Sequence, residues 1–277
     1  MTRPVSRAGG GAVIGTAAGL ARLAAEAGRD ALGAVTEARG KRFPLVVVTG
    51  AAGSGKTVLA QHLQRSRMRS YTPSQARSEQ EEHIDQPLWR GRGVRFRVVP
   101  GHGEGGVRYA SLARLLHTEP VVGVVHVVAN GFRSRREDGA EPATAALSLD
   151  ELVEHHRREE QAELDETLTH LKMAIAAHRR PRWLVLALAK SDLYLPELPA
   201  LRAAHGPGGS APAAQSIDAL REFVGTGGLR WEALPVATWL EDYRWRDEVR
   251  PTTMSPAQRD ELLAGFRERI SALVGHA

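Results

Sequence analysis

The chain has 277 residues, which at about 150 residues per average domain leaves room for one α/β domain with additions. Charged residues at 25% and hydrophobic residues at 42% are ordinary for a globular protein and exclude disorder or a fibrous class as a global description. The balance of 37 Lys+Arg against 32 Asp+Glu leaves a formal charge of +5, a weak pointer to a nucleic-acid or membrane partner, and the lack of cysteine excludes a disulfide scaffold, a thiolate nucleophile and thiolate-held zinc or iron–sulfur.

Residues 1–42 read as a helical extension rich in small residues, ahead of a main domain spanning 43–277. Gly11, Gly15 and Gly19 recur every four residues, which on a helix forms a face suited to a partner helix or a peripheral membrane contact. Arg3 and Arg7 ahead of Ala8–Ala21 have the outline of a secretory leader, but the glycine content argues against export and a cytoplasmic location is expected. The uncharged runs Ala8–Ala21 and Ala203–Ile217 fall short of the ~18 apolar residues a spanning helix needs, so no transmembrane segment is expected.

From Phe43 strands and helices alternate. Leu45–Thr49 is a short apolar, β-branched run, as expected for a strand covered on both faces, and a helix follows over about Gly55–Leu63. Val94–Val98 alternates apolar and arginine, and with Leu88-Trp89 and the intervening glycines it predicts a hairpin at a sheet edge, with one wetter face. Val121–Val128, Trp183–Ala189 and Ala233–Thr238 supply three more buried strands. Ser148 and Glu151 open a long helix to about Arg179 with Leu164, Leu168, Leu171 and Ile175 on one face. Ser255-Pro256-Ala257-Gln258 opens the last helix, lined by Leu262, Phe266, Ile270 and Leu273. Phe132–Ala146 and Ala203–Ser216 read as surface loops. The order predicts an α/β, doubly wound, mainly parallel six-stranded sheet with helices on both faces and an antiparallel edge strand.

The most specific signal is Gly50-Ala51-Ala52-Gly53-Ser54-Gly55-Lys56-Thr57, a complete G-x-x-x-x-G-K-[ST] pattern placed directly after a strand and before a helix. Glycines let the backbone fold around an anion, amide N–H groups point at phosphate oxygens, and the helix N-terminus adds partial positive charge. In this reading Lys56 reaches the β- and γ-phosphates and the Thr57 hydroxyl is a Mg²⁺ ligand.

Three further stretches carry a resemblance, from about Phe43 onward, to the P-loop GTPases of the translation-factor and Ras-like class. Val98-Val99-Pro100-Gly101-His102 is similar to their Asp-x-x-Gly, and its Pro-Gly-His portion to the Asp-Thr-Pro-Gly-His of translation factors; Ala189-Lys190-Ser191-Asp192 resembles their [Asn/Thr]-Lys-x-Asp; Val236-Ala237-Thr238 resembles the Ser-Ala-Lys loop that closes over the base. The resemblance implies a doubly wound P-loop fold and a guanine-nucleotide switch that binds GTP and GDP with Mg²⁺ and slowly hydrolyses GTP, its state sensed by a protein partner. It assigns guanine recognition to Asp192, a stacking stem to Lys190, the base loop to Ala237, a nucleotide-binding position to Gly101 and alignment of the attacking water to His102. It also likens Tyr71-Thr72-Pro73-Ser74 to the segment that senses the γ-phosphate, in which Thr72 or Ser74 could serve, with Ser74 taken as a second metal-ligand candidate beside Thr57.

The departures from that pattern define the alternatives. Val98 stands where the class has the Asp that holds the metal-bound water, and Ala189 stands where it has the Asn or Thr that braces the phosphate loop. A nucleotide-binding scaffold with little turnover is therefore the main competitor, and a P-loop ATPase or kinase is a third reading. Arg133, Arg135 and Arg136 read as a solvated basic loop rather than arginine fingers, and His155 and His156 as the wet face of the long helix, with Glu151 paired to His155.

Overall fold

The computed structural model describes residues 43–64, 82–88, 92–100, 107–134, 144–178, 180–225 and 227–276. The helical extension expected over 1–42, the Tyr71–Ser74 segment, Gly101, His102, Arg135 and Arg136 lie outside the described residues.

The elements run β1 (Leu45–Gly50), α1 (Lys56–Gln64), β2 (Glu82–Leu88), β3 (Arg92–Val98), α2 (Val107–Thr118), β4 (Val121–Val128), α3 (Leu149–His178) and β5 (Trp183–Leu188). After two short 3₁₀ turns come α4 (Leu198–His205), α5 (Pro212–Val224), β6 (Arg230–Pro235), β7 (Tyr243–Trp245), β8 (Glu248–Arg250) and α6 (Pro256–Gly275). Six strands form one sheet in the order β2-β3-β1-β4-β5-β6. β2 is antiparallel to β3 at the edge and the other neighbours are parallel, as the sequence predicts.

Alternation along the strands divides the core into two layers. Leu45 and Val47 of β1, Leu184, Leu186 and Leu188 of β5 face Leu112, Leu115 and Leu116 of α2, Leu164, Leu168, Leu171 and Ile175 of α3, and Ile217 and Leu220 of α5. Val46 and Val48, with Val185 and Ala187, face Leu59 and Leu63 of α1 and Phe266, Ile270 and Leu273 of α6. Helices therefore cover both faces. The arrangement follows from the period of two along a strand, which sends successive side chains to opposite sides.

Several expectations need correction. The wetter face predicted for β3 is only partly so: Arg97 is half-buried, while Arg95 is 4% exposed, its guanidinium pairing with Glu119 at 3.6 Å and donating to the Phe43 carbonyl at 3.2 Å. β2 at the edge makes β3 an interior strand, and the arginine is tolerated because it is paired. The expected loop over Ala203–Ser216 is in large part helix. Pro212 takes the first position of α5, where a missing N–H costs nothing, and Ala213, Ala214, Ile217 and Leu220 form its buried stripe. β6 begins three residues before the predicted Ala233 and ends at Pro235, leaving Val236–Thr238 beyond the strand. The buried residue at the start of the last helix is Leu263, with Leu262 at the edge of a smaller cluster. Both predicted caps are present: Ser148 with Glu151, and the reciprocal Ser255–Gln258 box.

Gly123 of β4 lies opposite Trp183 of β5, and a Cβ there would stand 2.0 Å from the indole Cε2. Gly123→Ala is expected to destabilise the domain by about 1–3 kcal/mol through overpacking, read as a lower urea midpoint with an unchanged slope.

Candidate functional site

The loop between β1 and α1 sits at the carboxyl end of the central strand, between the parallel neighbours β3 and β4, where open α/β sheets place ligands. Two of its glycines are required by close approach. Gly50 has φ +130° and a Cβ there would stand 2.2 Å from the Val127 carbonyl oxygen; Gly53 has φ +74° and a Cβ would stand 2.2 Å from that of Ser134. The first turn of α1 contains no acidic residue, so the positive end of the helix faces the loop uncompensated. Lys56 is 7% exposed and its ammonium donates to the Gly50 and Ala51 carbonyls, each at 2.8 Å. Ser54 Oγ is buried with no hydrogen-bond partner. A buried hydroxyl without a partner beside a row of loop amides and a lysine fits an anion such as a phosphate chain.

At the end of β5, Lys190 takes a left-handed conformation, φ 56° and ψ 34°. This turns the chain so that Ser191 N–H donates to the Val236 carbonyl at 3.3 Å and Ser191 Oγ to Leu188 O at 2.7 Å. Asp192 is 2% exposed; its carbonyl accepts from Thr253 N and Oγ1 at 3.0 and 3.2 Å, while its Oδ1 has no hydrogen-bond partner. Burial pushes the Asp192 carboxyl upward, against the pull of local hydrogen bonds and the Lys190 charge. Ala237, fully buried, lies in the loop that follows β6.

A third segment joins these two. The chain leaving β4 is predicted as a surface loop from Phe132; Phe132 is buried and Arg133 half-buried, and Ser134, though exposed, is bonded to both loops. Ser134 N–H donates to Gly53 O at 3.0 Å, and the Lys190 ammonium donates to Ser134 Oγ at 2.7 Å and to Phe132 O at 2.5 Å. Arg133, expected to be solvated, donates from Nε to Ala52 O at 2.7 Å and pairs with Glu159 of α3. His156 is likewise buried, on Gly131 O at 2.9 Å; His155 pairs with Glu159 at 3.5 Å, while Glu151 is spent on the Ser148 cap. Glu160, buried, accepts from Ala129 N at 2.8 Å and Gly131 N at 3.0 Å. Burial raises its carboxyl, opposed by those two amides and by Arg133 and Lys190.

Ser134, Glu159, Glu160 and Tyr243 are site residues not named from the sequence, and Arg133 is one named from it but set aside as solvated. Val98, by contrast, is 2% exposed and packs in the core. Its side chain offers no oxygen to a cation. Among the described residues no cluster of acidic, histidine or cysteine side chains suits a metal, and no helix is long and apolar enough to cross a membrane. The site residues thus fit phosphates, but toward Mg²⁺ they offer only the Thr57 hydroxyl from the predicted pair, Ser74 lying outside the described residues.

The described domain is an α/β P-loop fold, defined by its sheet order and by the loop between β1 and α1. No family model matches the sequence, and no curated protein matches it. Among solved structures, the chain is similar to a bacterial selenocysteine-specific elongation factor at 15% identity and TM-score 0.45, with 85% of this chain and 29% of that one covered. It thus spans less than a third of that factor's length. It is also similar to the signal recognition particle receptor SRb–GTP/SRX complex from Chaetomium thermophilum, at 15% identity and TM-score 0.47, covering 82% and 98% of the two chains. A third similarity is to Toc33 from Arabidopsis thaliana, at 12% identity and TM-score 0.41, covering 87% and 88%.

Burial is the largest influence on the Lys190 ammonium and brings it down to about 8, with Glu160 and Asp192 opposing. The unfolded chain releases this proton near ~10.4, so between about pH 8 and ~10.4 the unfolded state binds more protons and stability rises with pH. The urea midpoint of the wild type is expected to climb relative to that of Lys190→Met across this window and to run parallel to it between pH ~6.5 and ~7.5. Parallel curves throughout would show that Lys190 is not desolvated.

Proposed function

We propose that this chain is a guanine-nucleotide-binding protein of the P-loop switch type, holding GTP or GDP and hydrolysing GTP slowly. The observation that carries the reading is the bridge at Ser134, which joins the phosphate loop to the Lys190–Asp192 turn at one end of the sheet. A ligand with a phosphate chain at one end and a hydrogen-bonding base at the other matches those two loops.

In this reading the loop amides and the N-terminus of α1 receive the phosphates. Lys56 exchanges its two carbonyl partners for phosphate oxygens, and Ser54 Oγ gains the acceptor it lacks. The Asp192 carboxylate accepts from the N1–H and exocyclic amine of guanine, Oδ1 gaining the donor it lacks; adenine offers no such pair of donors. The Lys190 stem supports the base while its ammonium stays on Phe132 and Ser134. Magnesium, when bound, neutralises charge on the phosphate oxygens, and Thr57 is the described residue that would touch it. With Val98 in the core, no carboxylate from the end of β3 assists. His102, Gly101 and Ser74 keep the roles that the resemblance implies, alignment of water by His102 among them.

The packing of Val98 favours a second reading, a nucleotide-binding scaffold with negligible turnover, and phosphate release over many hours separates the two. Under the first reading turnover is slow, below ~0.01 s⁻¹, the order for switches carrying their own arginine, and His102→Ala lowers it further with GDP affinity unchanged.

Binding tests the common core of both readings. Lys56→Ala removes charge-assisted bonds worth about 1.5–3 kcal/mol and is expected to weaken GDP binding by at least ~10-fold in titration calorimetry, with the fold retained. The wild type is expected to prefer GDP to ADP strongly, and Asp192→Asn to lose that preference and favour xanthine nucleotides. Equal affinity of the wild type for GDP and ADP would overturn the guanine assignment.

A further inference from the structure

We infer that Arg133 is a positioning residue that holds the phosphate loop in its anion-receiving shape, a role resting on the nucleotide reading above. A loop whose amides converge on an anion must turn its carbonyls outward, and those carbonyls need donors of their own. Four successive carbonyls are bonded here. Gly50 O and Ala51 O receive the Lys56 ammonium, Ala52 O receives Arg133 Nε, and Gly53 O receives Ser134 N–H. When Lys56 turns to a phosphate, the first two side-chain bonds are released. The bonds from residues 133 and 134 do not depend on the ligand and remain. Ala189, where the resemblance expects a bracing side chain, has only a methyl group to offer.

The brace is itself anchored on three sides. The guanidinium, its side chain 17% exposed, is paired with Glu159 of α3. The Arg133 carbonyl accepts from Tyr243 Oη of β7 at 3.0 Å, and the ring of Phe132 stacks on Tyr194 and meets Tyr243 edge-on at centroid distances of 6.2 and 5.4 Å. The segment's root is held by Glu160 at Ala129 and Gly131. A guanidinium suits this place because it reaches a carbonyl and a carboxylate at once from a planar fork; an ammonium gives only a point charge. Arg133 acts on the loop from behind, through a carbonyl, so its removal loosens the cradle without removing a ligand contact.

Two measurements on Arg133→Met, Arg133→Lys and Glu159→Gln test this. Hydrogen exchange of amides 51–56 in the nucleotide-free protein is expected to accelerate about tenfold in Arg133→Met and by less in Arg133→Lys and Glu159→Gln, each of which keeps one of the two partners. GDP affinity is expected to fall about tenfold in Arg133→Met, GMP affinity less than about twofold, and the preference for GDP over ADP to persist, because only the grip on the distal phosphate is loosened. Glu159→Gln carries the test if Arg133→Met does not fold. Unchanged loop exchange in the folded variants, or equal losses of GDP and GMP affinity, would overturn the brace. Faster loop exchange in a protein whose wild type binds no nucleotide would uphold the brace and overturn the nucleotide reading.

Discussion

The double attachment of Ser134 is the constraint on which the candidate site depends. Its amide is bonded to the phosphate loop at Gly53 and its hydroxyl to the Lys190 ammonium. β1 and β5 are not neighbours; β4 lies between them. Without a segment crossing the end of β4, the loops after β1 and β5 would share only the rigidity of the sheet. The close pass of Ser134 O over Gly53, which leaves no space for a Cβ, ties the glycine pattern of one loop to the path of another.

Holding that segment takes charge partly out of water, with Glu160 buried and Lys190 and Arg133 half-buried. Glu160, Lys190 and Arg133 meet at its turn, with Glu160 accepting from main-chain amides and Lys190 donating to a main-chain carbonyl. Burial of isolated charges is costly. Here opposite charges and main-chain dipoles offset part of that cost, while burial remains the largest influence on both Glu160 and Lys190. A network of this kind fixes one geometry, since a missing partner would strand the rest.

The β7–β8 hairpin extends the same support. Tyr243 reaches Arg133 O, Trp245 Nε1 donates to Leu147 O at 2.8 Å, Glu248 accepts from Leu149 N at 2.9 Å, and Arg250 donates to Leu193 O at 2.9 Å. These bonds join the segment after β4, the start of α3 and the turn after β5. Phe132, Leu149, Leu193, Tyr194 and Tyr243 form a small apolar cluster beneath them, so the site end of the sheet has a core of its own.

The sequence by itself determined the order of the sheet strands, the helices α1, α3 and α6, both helix caps and the loop of Gly50–Thr57, because apolar period, capping pairs and glycine spacing are local properties; it did not mark α2, α4 or the β7–β8 hairpin. It also marked Lys190 and Asp192, whose spacing survives as a turn at the end of β5. It did not distinguish α5 from a loop, since Pro, Gly and Ser dominate the composition there while the buried stripe is short. Only the tertiary structure decided that Arg133 faces the phosphate loop rather than water, that His156 and Glu160 are buried, and that Tyr243 closes the arrangement. Each of these residues is polar or amphipathic, and such residues stand at a surface or inside according to whether distant chain supplies their partners. Arg133 and Ala52 are 81 residues apart, Tyr243 and Arg133 a further 110. No periodic pattern spans such separations; packing of the sheet brings them together.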